Sequence, residues 1–179
     1  MRTGILGTRL ILLLTLALQP GESKPRLLPP SAFPDLPLGI VQKLQERGCQ
    51  IPQIQRRKRY NAIQGSFIKS GQADWAVLCT TKKVTELLVF PNGSSDQVMM
   101  IASFHNGFSK WAISPMAARD FPKEWLPKDG SSPLDHDAIS SFAEFGERQD
   151  GCLYCYSADG KVLYFDQGQW SEVSGVIVN

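Results

Sequence analysis

The sequence predicts an α+β fold in a single domain, and three patterns predict it. A stripe of apolar residues at helical spacing stands at 37–47, and short strands separated by tight turns run from 63 to 104. A further strand pair is spelled out near the C-terminus. The expected architecture is an antiparallel β-meander packed by the N-terminal helix and by a long irregular loop region. A length of 179 residues suits one domain of ordinary size, and 42% hydrophobic with 20% charged residues suits a real core.

The N-terminus has the form of a secretory signal peptide. Arg2 and Arg9 precede the apolar run Leu10–Leu18, and Gln19-Pro20-Gly21 breaks it. The run is too short for a bilayer span, which needs about 20 apolar residues. Cleavage after Ala17 or Ser23 is compatible with the small residues there, and residues 1–23 are taken as the leader. Without it, 17 basic and 16 acidic residues remain, which gives no electrostatic case for nucleic acid or a membrane surface as partner. No transmembrane segment is expected after leader removal, and the compartment predicted is secreted or periplasmic.

Residues 24–36 are expected to be a proline-rich tether. Pro25, Pro29, Pro30 and Pro34 fix φ and remove amides, which argues against a ladder there. The domain proper is placed at 37–179. Leu38, Val41 and Leu44 share a helical face, and Gly48 supplies a stop just before Cys49. Arg56-Arg57-Lys58-Arg59 is the only charge block, a surface turn or, in a eukaryotic secretory pathway, a processing site.

Ile63, Gly65 and Phe67 alternate with polar residues as one strand. Ser70-Gly71-Gln72 makes a turn, and Trp75–Cys79 reads as a strand buried on both faces. Val84–Phe90 and Val98–Phe104 complete the meander around the turn Pro91–Ser95. Asn92-Gly93-Ser94 also has the form of a glycosylation acceptor. Residues 105–135 are expected to be irregular, with a short helix near Met116–Asp120. A second short helix is expected at Asp137–Phe145, then a hairpin of Cys152–Ser157 with Val162–Phe165.

In an exported chain the four cysteines are disulfide candidates first. Four cysteines allow three pairings. Cys49–Cys79 is the natural one if the helix before Cys49 packs on the strand holding Cys79, and Cys152–Cys155 is a possible second. As a redox pair, Cys152-Leu153-Tyr154-Cys155 lacks a helix after it to stabilise a thiolate. The cysteine spacings do not form a zinc knuckle, so no metal or cofactor is expected.

Asp135-His136-Asp137 has the residue types of a carboxylate-oriented base, but no nucleophile motif accompanies it. The simpler expectation is a helix cap with His136 at the surface. Trp75 is expected in the core, whereas Trp111, Trp125 and His136 make up the candidate ligand surface.

Gly65, Phe67, Gly71, Asp74, Ala76 and Val77 resemble the FG-GAP repeat, whose loop binds calcium. The loop oxygens are reduced here to Ser66, Ser70 and the single carboxylate Asp74, so the resemblance implies a hairpin rather than a calcium site. Gly48–Gln53, the run Gly71–Cys79 and His136-Asp137 resemble small exported bacterial proteins of unassigned function, which implies no mechanism. The expectation is therefore a secreted non-catalytic binding or structural protein with a protein or small-molecule ligand. The alternatives are a small hydrolase using His136 with Asp135 or Asp137, and a thiol–disulfide protein using Cys152 and Cys155.

Overall fold

The structure, a computed structural model, describes residues 26–53, 59–82, 84–105, 111–121, 135–143 and 161–174. The fold is mixed α and β, mostly antiparallel sheet, with one α-helix among the described residues. Strand β1 (Arg26–Leu28) pairs antiparallel with β2 (Ile51–Gln53). Strands β3 (Ala62–Gly65), β4 (Asp74–Thr81), β5 (Val84–Phe90) and β6 (Met99–His105) form one four-stranded meander. Strands β7 (Trp111–Met116), β8 (Ala138–Ala143), β9 (Lys161–Asp166) and β10 (Gln169–Ser174) form another. The single meander expected from sequence is thus one of two.

The helix α1 (Leu38–Glu46) forms where the spacing predicts it, but Ile40, Val41 and Leu44 are its buried residues. Leu38, at the first helical position, is exposed. Pro37 precedes the helix, where its missing N–H costs nothing. Gly48 adopts φ +71°, and Cys49 and Gly48 donate to the carbonyls of Leu44 and Gln45. This pair of bonds ends the helix and turns the chain toward β4. Cys49 and Cys79 are disulfide-bonded, with Cα atoms 5.0 Å apart. Gln50 and Thr80 beside them exchange backbone hydrogen bonds.

Strict alternation along β4 and β5 sorts side chains between two cores. Trp75, Val77, Cys79, Leu88 and Phe90 face α1, together with Phe33, Leu36 and Ile51. Ala76, Leu78, Leu87 and Val89 face the second sheet and meet Ile113, Ile139 and Leu163, with Phe67 among them. On the far side of the second sheet, Ala138 and Val162 pack with Phe121. The order of layers is helix, sheet, sheet and the segment around Phe121. Strand β4 is buried on both faces, as its unbroken apolar run implies.

Four local expectations are corrected. The proline-rich segment is no free tether within its described part, because Arg26–Leu28 forms a ladder and Phe33 and Leu36 are buried. Its prolines at 29 and 30 follow that strand instead of interrupting it, and Pro30 opens a 3-10 turn. The irregular segment contains β7, whose Pro115 is accommodated because β7 is an edge strand. Its short helix is a 3-10 turn at Ala118–Asp120. The helix expected at Asp137–Phe145 is strand β8: Ala138 and Ile139 enter different cores, which is a two-residue period. Ser140 and Ser141 are buried and donate to the carbonyls of Ser114 and Lys161. The C-terminal hairpin joins β9 to β10 across Gln167-Gly168, both at positive φ. The hairpin expected between Cys152–Ser157 and Val162–Phe165 is a different one, and its first arm lies outside the described residues.

Candidate functional site

Three segments converge at one end of the two sheets: the β3–β4 connection (66–73), residues 135–137, and the end of β9. The β3–β4 connection is organised by Asp74, which is fully buried. One carboxylate oxygen accepts from the backbone amides of Phe67 and Ile68, both at 2.9 Å. The other accepts from the Gln72 side-chain amide at 2.6 Å and the Asn92 amide at 3.0 Å. A buried carboxylate that collects four N–H groups is satisfied by them. Its surroundings have the polarity opposite to that of a cation's ligand shell. Among the described residues, no group of three or more His, Cys, Asp or Glu side chains could hold a metal ion.

Asp137 ties this connection to the second sheet. Its carboxylate accepts from the Ser66 amide at 3.0 Å, and its own amide donates to the Ser66 carbonyl at 2.8 Å. Gly65 makes room for this junction. A Cβ there would lie 2.6 Å from the ring of Phe67 and 3.2 Å from the Asp137 carboxylate.

His136 is buried and precedes a strand, so it is neither at the surface nor at a helix start. Nδ1 lies 2.7 Å from the Asp135 carboxylate, and Nε2 donates to the Phe165 carbonyl at 2.9 Å. The hydrogen bond to His136 holds the Asp135 carboxyl below its ordinary range, and the Lys69 ammonium adds to this. With Nε2 engaged by a backbone carbonyl, the ring presents no unengaged nitrogen to a substrate.

A shallow recess of about 320 Å³ lies beside this junction, lined by Gln64, Gly65, Ser66, Gly71, Gln72 and Ala73. Its polar groups are amides, a hydroxyl and backbone. Of the residues singled out from sequence, the structure brings Asp135, His136 and Asp137 to this end. Cys49 and Cys79 stand at the other core, facing α1. Trp111 is the first residue of β7, and its side chain lies outside what the structure describes. Trp125, Cys152, Cys155 and Arg56–Lys58 lie outside the described residues. Sequence reasoning missed the role of Asp74. The available sign was a lone carboxylate heading an unbroken apolar strand, which has to find donors if the strand is buried.

No protein-family model, curated protein or solved structure matches the chain.

Proposed function

We propose that this chain is an exported, non-catalytic protein that binds or supports a partner outside the cytoplasm. The observation that carries the reading is the commitment of the reactive-looking groups among the described residues to internal bonds. Asp74 holds four donors, Asp137 holds Ser66, both His136 nitrogens are engaged, and Cys49 is bonded to Cys79. Groups held this way fix a surface and are poorly placed to exchange protons with a substrate. A ligand seated in the recess beside Ser66 and Gln72 would be neutral and polar, because the recess offers hydrogen bonds and no ionised side chain.

Export rests on the basic, apolar and Pro-Gly segments of residues 1–23, and the disulfide accords with an oxidising compartment. A hydrolase reading draws on the short Asp135–His136 contact, and one experiment separates the two. The full chain is expressed with its leader, the exported product is sequenced from its N-terminus, and it is assayed on ester, amide and phosphate model substrates. The expected result is an exported chain beginning at Lys24 with no turnover above buffer. Turnover that disappears in His136→Gln, with melting unchanged, would establish the hydrolase instead.

A further inference from the structure

We propose that the His136–Asp135 contact is a protonation-controlled latch beside the second sheet: Nε2 ties the ring to β9 in either charge state, and losing one proton from the doubly protonated ring releases its bond to Asp135. Each ring nitrogen faces an oxygen. Nε2 meets the Phe165 carbonyl at 2.9 Å, and Nδ1 meets the Asp135 carboxylate at 2.7 Å. Both oxygens only accept. A neutral imidazole carries one N–H, so only the imidazolium donates to both. In the neutral ring, one lone pair would face an oxygen at hydrogen-bonding distance, in a side chain only 8% exposed.

The geometry also decides which bond opens. The Phe165 carbonyl belongs to β9, whose register opposite Trp170 fixes it. The Asp135 side chain is 79% exposed and can rotate into water. The remaining proton therefore stays on Nε2, and Asp135 is the part that moves. The charged groups described around the ring are few. Asp135 is its partner, and Lys69 of the β3–β4 connection acts on Asp135. Asp137 is turned to the Ser66 amide, and Asp166 follows Phe165 in the chain.

The latch needs an ionised Asp135 and a doubly protonated ring. The lowered carboxyl contributes stability that is present above the unfolded value, about 3.9, and is lost as pH falls through the folded value.

The test compares the full chain with Asp135→Asn by thermal melting at pH 5 and pH 8. The asparagine amide can turn either its oxygen or its NH2 toward Nδ1, so it suits both forms of the ring. Asp135 is exposed, so the variant keeps the fold. Nitrogen-15 NMR reads the ring protons, and a His105→Gln variant assigns the other histidine. At pH 5 the wild type is expected to melt a few degrees above Asp135→Asn, with both ring nitrogens protonated. At pH 8 that advantage is absent and the ring is the Nε2–H tautomer. An equal gap at both pH values, or an Nδ1–H tautomer at pH 8, would overturn the proposal.

Discussion

Asp74 shows how far a single side chain can organise this structure. Four N–H groups from three places in the chain, 67–68, 72 and 92, point at one carboxylate. Replacing it by asparagine keeps the shape but turns an NH2 donor toward donors in a site without solvent. Hydrogen bonds to a charged group are worth about 1.5–3 kcal/mol each and are not additive, so Asp74→Asn is expected to cost roughly 3 kcal/mol in urea unfolding. A loss below about 0.5 kcal/mol, the scale of an ordinary surface substitution, would remove this role. The likeness of 65–77 to a calcium-binding repeat located this turn in the sequence but not its polarity. The same acidic position serves backbone amides here, and only the folded partners distinguish the two uses.

At the scale of elements, the N-terminal helix and the central sheet form a unit closed by the disulfide. The helix ends at Gly48, Cys49 follows it, and Cys79 waits on the helix-facing side of β4. Replacing both cysteines by alanine is expected to cost about 3–4 kcal/mol, from the entropy of closing a 30-residue loop. Equilibrium unfolding of oxidised wild type and the double variant checks this, and equal midpoints would contradict it. These elements were legible because their patterns are long and unmixed: one helical stripe, one glycine stop and one apolar run ending in cysteine. Strands β7 and β8 were not. Pro115 argued against a strand until the edge position of β7 was known. Ala138, Ile139 and Phe142 fitted helical spacing, while Ser140 and Ser141 concealed a strand whose hydroxyls are bonded inside the sheet. Their period emerges only when cores exist on both faces of the sheet.

The whole molecule is a stack in which each sheet of the pair contributes to two cores. The first sheet and its helix were foreseen from the sequence, and the second sheet of β7–β10 against it was not. The Asp-His-Asp segment was legible as a cluster of chemistry-bearing residues. Its role was not, because Phe165 becomes a partner only when β8 pairs with β9, and Ser66 only when the sheets stack. The central claim is that this segment joins the sheets through internal bonds and does not serve a substrate. Urea unfolding of Asp137→Ala tests it most directly. Loss of the Ser66 bond to a charged acceptor predicts a destabilisation of about 1.5–3 kcal/mol, seen as a lower midpoint with an unchanged slope. An unchanged midpoint would contradict the account, because it would leave the Asp137 carboxylate free of a structural task.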